Sequence, residues 1–235
     1  MMADRVFRGF TQQGLNFLQQ VRQENSKEWF DDNRKIYDEN LLTPFRDLVS
    51  DLSDTMLKID DRFETRPAIG KTLSRINRDT RFSNDKSRYR SRLWLTFKRH
   101  SPDWKDAPVY FFEISPDAFR YGLGYYSASR ATMDRFRHLI VTRPQAFREA
   151  TACCKPPFEL VGDSYKRTLI KDAPADVTNW YNRKSFAVMA TSLQIEQIFD
   201  ARLVPLLEKG FTRLAPLYHF LMQAEALKAI PLEDL

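Results

Sequence analysis

The chain has 235 residues, 43% hydrophobic and 29% charged, with a formal net charge of +6. That balance describes a folded globular protein long enough to bury a substantial core, and it excludes a disordered chain. Only seven glycines are present, and neither a glycine-rich phosphate loop nor a dinucleotide-binding glycine pattern appears.

The first sixty residues carry helical spacing. Leu15, Leu18 and Val21 recur after a possible Thr11 cap, which predicts a first helix. Asn25 stands three residues before Glu28, a capping-box-like start for a second helix with Trp29, Asn33, Ile36, Tyr37 and Asn40 on one side. Thr43-Pro44 reads as a cap followed by proline at the first helical position, and Phe45, Leu48, Val49, Leu52 and Met56 form the stripe of a third helix.

After Pro67 the period changes to two. Leu93, Leu95 and Phe97 alternate with Arg92, Trp94, Thr96 and Lys98; two further alternating runs cover 109–114 and 119–126, joined by the turn signal Ser115-Pro116-Asp117-Ala118. Both faces of these runs are largely apolar, so both are expected to be covered. Helices resume with Met133, Phe136 and Ile140, then from Pro144 to about Cys153, and from about Ile195 to Leu227 with breaks at Pro205 and Pro216. Phe158–Val161 and Phe186–Met189 are short strand candidates. The expected architecture is one α+β domain over 1–235. It is helical over 11–58, sheet-rich over 70–127, and mixed and helical over 128–230, with an antiparallel meander packed by N- and C-terminal helices.

The charge is concentrated. Lys71 to Lys105 holds eleven Lys/Arg and three Asp, a net of +8 against +6 for the chain. As a strand, 75–81 places Arg75, Asn77, Asp79 and Arg81 on one face and Ser74, Ile76, Arg78 and Thr80 on the other. Guanidinium forks suit phosphate and carboxylate oxygens. Arg75, Arg78, Arg81 and Lys86 therefore read as donors, Asp79 and Asp85 as carboxylates that orient them, and Tyr89 as a further hydroxyl donor, with Phe82 anchoring the loop. Arg88, Arg90 and Arg92 share a face of the next strand. Density of Arg and Lys favours ionised carboxylates, so Asp79 with Asp85 suits electrostatic holding better than general acid catalysis. The expected partner is a small phosphate- or carboxylate-bearing anion. Nucleic acid is the alternative, and an internal salt-bridge network with a structural or partner-binding role is the third reading. No catalytic residue is assigned.

These residues also carry a resemblance. The run Arg75-x-x-Arg78-Asp79-x-Arg81-Phe82, followed by Asp85-Lys86-x-x-Tyr89, resembles the hallmark of a widespread bacterial family of conserved hypothetical proteins, a domain of unknown function of about this length. The opening fits as well, with Phe17-Leu18, Asn25, Glu28, Trp29, Phe30 and Tyr37. The resemblance covers nearly the whole chain and implies where a site lies, with no activity, cofactor or substrate attached.

Trp29, Asn33 and Arg34 form a second polar-aromatic cluster, read as packing on the sheet or as lining the same site. Trp180-Tyr181 with Asn182-Arg183-Lys184 reads as a loop with partly buried rings or as a stacking-and-charge contact for RNA. His100, His138 and His219 lie far apart with no metal-ligand spacing, no serine nucleophile elbow is present, and no nucleic-acid-binding signature appears. No metal and no cofactor are expected. Cys153 and Cys154 have no other thiol to pair with, which suits a reducing compartment; they read as two small apolar residues or as a redox-active pair. Without a signal-like apolar run at the N-terminus or the roughly 18 apolar residues of a membrane span, a cytoplasmic protein with no membrane partner is expected.

Overall fold

Helix formation begins where the Thr11 hydroxyl accepts the Gly14 N–H at 3.1 Å, capping α1 (Gln12–Glu24) as predicted. The computed structural model describes residues 6–81, 84–231 and 234. The second cap differs from expectation. Ser26, not Asn25, accepts the Trp29 N–H and starts α2 (Lys27–Tyr37); Asn25 ends α1 instead, and its amide is used elsewhere. Thr43 is not a cap either. The chain stays helical through Leu42 into α3 (Thr43–Ile59) by way of a π-turn over Asp38–Leu42, with the Thr43 N–H bonding Asp38 O. Pro44 supplies the reason: it has no N–H for a normal helical bond and would crowd the carbonyl four residues back, so the helix widens by one residue.

The later elements are β1 (Leu93–Phe97), β2 (Pro108–Ile114), β3 (Phe119–Tyr125), α4 (Arg130–Thr142), α5 (Pro144–Thr151), β4 (Glu159–Val161), α6 (Ala175–Tyr181), β5 (Ala187–Ser192), α7 (Leu203–Arg213) and α8 (Ala215–Ala226). The fold is α+β, with a five-stranded antiparallel sheet of order β1-β2-β3-β5-β4. The meander of the first three strands matches the sequence reading, and its turn closes by a bond from Ser115 N to Ala118 O at 2.9 Å. The last two strands extend it, with Glu159 opposite Met189 and Val161 opposite Ala187. Pro205 and Pro216 do not interrupt helices: each sits in the first turn of its helix, where a missing N–H costs nothing.

The chain divides into two compact units. The first comprises residues up to Phe97, with Phe111–Tyr121 and Thr191–Gly210. Its core is aromatic: Phe17 packs on Trp29, Phe30 and Tyr37, and Phe10 contacts Phe45 and Phe112. Gly9 lies at φ +119°, and a Cβ there would stand 2.2 Å from Phe199 O, so only glycine allows the entering chain to touch that backbone. The second unit comprises Lys98–Tyr110, Gly122–Ala190 and the chain from Phe211 onward. Phe136, Phe147, Trp180, Phe186 and Phe220 cluster within it. Gly124 lets β5 approach, since a Cβ there would meet Ala187 Cα at 2.4 Å. Arg137 is buried on α4, and donates to Tyr181 O at 2.8 Å, Arg183 O at 2.7 Å and Asp134 Oδ1 at 2.6 Å.

Trp180 is thus a core residue on α6 and not a loop residue. The Arg183 guanidinium beside it bonds Gly162 O and Asn179 Oδ1.

Candidate functional site

The basic segment forms an irregular hairpin in the first unit. Asn77 bridges Tyr89 antiparallel, with Arg78 N donating to Arg88 O at 2.8 Å and Arg90 N to Ile76 O at 2.9 Å. Nearer the sheet, Leu73 bridges Leu95, Ser74 N donates to Trp94 O at 2.9 Å and Thr96 N to Thr72 O at 2.8 Å. The two stretches are out of register by two residues. From Ile76 to Ser74 one arm advances two positions while the other advances four, from Arg90 to Trp94. The surplus is a bulge at Ser91-Arg92 opposite Arg75. It breaks the ladder into isolated bridges, so 75–81 is not the strand expected from the sequence; exposure still alternates, with Arg75, Asn77 and Asp79 exposed, Ile76 buried and Arg78 half-buried.

Register decides which charges meet. Because Asn77 pairs with Tyr89, Arg78 and Arg88 occupy opposed backbone positions, Arg78 N donating to Arg88 O. Like charges directly opposite on antiparallel strands, with Cβ atoms about 5 Å apart, repel. Arg78 is paired with a carboxylate, its Nη1 lying 2.8 Å from Asp85 Oδ2. Arg88 is exposed and makes no ion pair among the described residues, and the same holds for Arg75.

The remaining motif residues are braced. Arg81 forks onto Asp79, Nε to Oδ1 at 2.9 Å and Nη2 to Oδ2 at 2.8 Å, which raises the guanidinium pKa further. Lys86 Nζ donates to Thr80 O at 2.9 Å and closes the loop between the arms. Bonds from the Ser87 hydroxyl and backbone, then the charge of Arg78, hold the Asp85 carboxyl below its ordinary range. Asp85 is therefore ionised at neutral pH. The loop anchor expected at Phe82 lies outside the described residues.

Tyr89 anchors the hairpin. Its ring is buried and stacks on Phe30 with centroids 4.4 Å apart. Asn25, displaced from its expected capping role, clamps the Tyr89 backbone: Tyr89 N donates to Asn25 Oδ1 at 2.9 Å and Asn25 Nδ2 to Tyr89 O at 3.0 Å. The second cluster is tied to its own helix. Asn33 Nδ2 bonds Trp29 O at 2.8 Å, Arg34 lies 3.7 Å from Asp38, and Trp29 packs on Phe17. Arg88, which the sequence reading left off its candidate site, lies opposite Arg78 in the hairpin; its signal in the sequence was its alternation with Arg90 and Arg92. Arg90 lies over the Trp94 ring at 4.8 Å, and Arg92 is 3.8 Å from Glu113.

Over residues 13–220 the chain matches the family described as conserved hypothetical protein (DUF2461). It belongs to that family. No curated protein matches it. The basic hairpin and the Tyr89 anchor of this DUF2461 chain both fall inside the matched span. Among the described residues no group of three His, Cys, Asp or Glu side chains is placed to hold a metal ion, and no helix is long and apolar enough to cross a membrane. What the hairpin offers chemically is fixed positive charge: exposed guanidiniums and an ammonium, with two carboxylates already committed to arginines.

Proposed function

We propose that the 75–89 hairpin binds a small anion bearing a phosphate or carboxylate group, held chiefly by Arg78 and Arg88. The observation that carries this reading is a pair of arginines at opposed backbone positions of the hairpin, Arg78 N donating to Arg88 O, with the Asp85 carboxylate paired to Arg78. Such an arrangement costs stability when empty and is relieved by a guest with two or more oxygens. Arg75 and Lys86 add positive charge at the two ends. Asp79 and Asp85 orient Arg81 and Arg78, and Asn25 and Phe30 hold the frame through Tyr89. A reaction at this site would draw on electrostatic stabilisation of developing negative charge.

Thermal denaturation across a panel of anions tests the reading. Phosphate raises the melting temperature of the wild type, and Arg88→Gln removes most of that rise while leaving the unliganded melting temperature unchanged or slightly higher. No shift with any anion refutes it. A single-stranded oligonucleotide series separates the nucleic-acid alternative: affinity that falls steeply with salt, through release of counterions from several phosphates, together with no response to free phosphate, favours that reading.

A further inference from the structure

The vicinal thiols Cys153 and Cys154 lie in the second unit, on the turn between α5 and β4. Cys154 N bonds Thr151 O and Lys155 N bonds Cys153 O, both at 2.9 Å. This tight turn brings the two sulfurs to 3.8 Å of each other. Both residues are half-buried, so neither is sealed in the core. Three features surround Cys153 Sγ. The Cys154 sulfur lies 3.8 Å away, either thiol able to donate, and the backbone N–H of Leu217, in the first turn of α8, favours the thiolate form. The guanidinium of Arg213 adds positive charge; it is fixed by bonds to Lys155 O at 2.8 Å and Pro156 O at 3.1 Å and lies over the Phe158 ring. A helix N-terminus and a cation are the surroundings that favour a thiolate.

We propose that Cys153 and Cys154 form a thiol–disulfide exchange site for small-molecule disulfides such as oxidised glutathione, with Cys153 attacking and Cys154 resolving. The Cys153 thiolate attacks one sulfur of the small disulfide, its S–S bond breaks, and one thiolate leaves. Cys154 then gives its proton to solvent and attacks Cys153 Sγ, expelling the second thiolate. The protein dithiol is oxidised to a vicinal disulfide and the small disulfide is reduced to two thiols.

The asymmetry of the pair follows from its contacts. The hydrogen bond from Cys154, with the Leu217 N–H and Arg213, holds the Cys153 thiol down to about 7 from an ordinary 9.0. The hydrogen bond with Cys153, then burial and the charge of the neighbouring thiolate, push the Cys154 thiol up, against the opposing charge of Arg213. The Ala150 carbonyl, which accepts from the thiol at 3.1 Å, and partial burial act against the Cys153 thiolate; burial keeps the phenol of Tyr110, on β2, protonated and uncharged. A thiol with a lowered pKa has a larger thiolate fraction at pH 7, and that gain outweighs the loss of nucleophilicity that goes with lower basicity, so Cys153 is the faster of the two thiols. Neighbouring Cα atoms are about 3.8 Å apart across a trans peptide, shorter than ordinary disulfides span, so the closed ring is strained and easily reopened by thiols.

Intact-mass spectrometry of the full chain with oxidised glutathione at pH 7 tests this. The wild type is expected to lose two hydrogens and release two glutathione thiols, and reduced dithiothreitol to reverse the change. Cys154→Ser is expected to stop with one glutathionyl group on Cys153, and Cys153→Ser to react several-fold more slowly than Cys154→Ser. Wild type that stops at the mixed disulfide, that does not react, or whose two variants react equally fast overturns the proposal. If a variant fails to fold, limited alkylation of the wild type with iodoacetamide, mapped by peptide fragmentation, decides the point. Label first on Cys153 supports the assignment and label first on Cys154 overturns it.

Discussion

Replacing Arg78 by glutamine separates an anion site from a structural salt bridge. Arg78 Nη1 and Asp85 Oδ2 are 2.8 Å apart, but their side chains keep 31% and 53% of their exposure. An ion pair that open to water is worth about 0–1 kcal/mol. The change also removes the repulsion between Arg78 and Arg88, so the net loss without ligand is at most about 1 kcal/mol, or about 2–4 °C in melting temperature for a chain of this size. Ligand linkage is larger: an anion at a hundred times its Kd stabilises the protein by about 2.7 kcal/mol. Urea unfolding followed by circular dichroism, with and without phosphate, reads both quantities. The expected result is a small loss in the absence of phosphate and the disappearance of most of the phosphate-dependent gain. A loss of about 3 kcal/mol or more without phosphate would mean that the pair is structural and the binding account is wrong.

Other outcomes follow from the same geometry. Asp85→Asn removes the charge competing for Arg78, so phosphate should bind about fivefold tighter in a titration at low salt. Gly9→Ala forces a Cβ into Phe199 O at a backbone angle that L residues avoid and should cost about 3 kcal/mol in urea unfolding. Arg137→Met strands the carbonyls of Tyr181 and Arg183 and should cost about 2–4 kcal/mol by the same measure. Glu64 accepts from Arg66 Nε at 2.8 Å, a bond that brings its carboxyl down from 4.5 to about 2. A lowered folded-state value contributes stability above pH 4.5 that is lost as the pH falls towards 2. Wild type should therefore lose more stability than Glu64→Gln across that window.

The helices and the meander were legible because their apolar spacing is regular: Leu15, Leu18 and Val21 in α1, and the alternation from Leu93 to Phe97. Caps were less legible. Asn25 and Ser26 are both good capping residues, and the choice fell to Ser26 because Asn25 is drawn to the Tyr89 backbone sixty-four positions away, a pairing no local pattern reveals. The burial of Arg135 and Arg137 on α4 was hidden for the same reason: arginines go inside only where tertiary structure supplies carbonyls to receive them. Trp180 beside three polar or basic residues looked like a loop, and only the partners Phe136, Phe147 and Phe186 make it core. At the basic hairpin the charges and their alternation were readable, but the two-residue bulge was not. It sets the register that puts Arg78 opposite Arg88.

Isothermal titration of inorganic phosphate into the wild type and into the Arg78→Gln/Arg88→Gln protein, at low ionic strength, bears most directly on that pairing. Saturable single-site heat in the wild type that vanishes in the double variant, with the fold intact by circular dichroism, is the predicted result. Equal heats from both proteins, or none from the wild type, would contradict it.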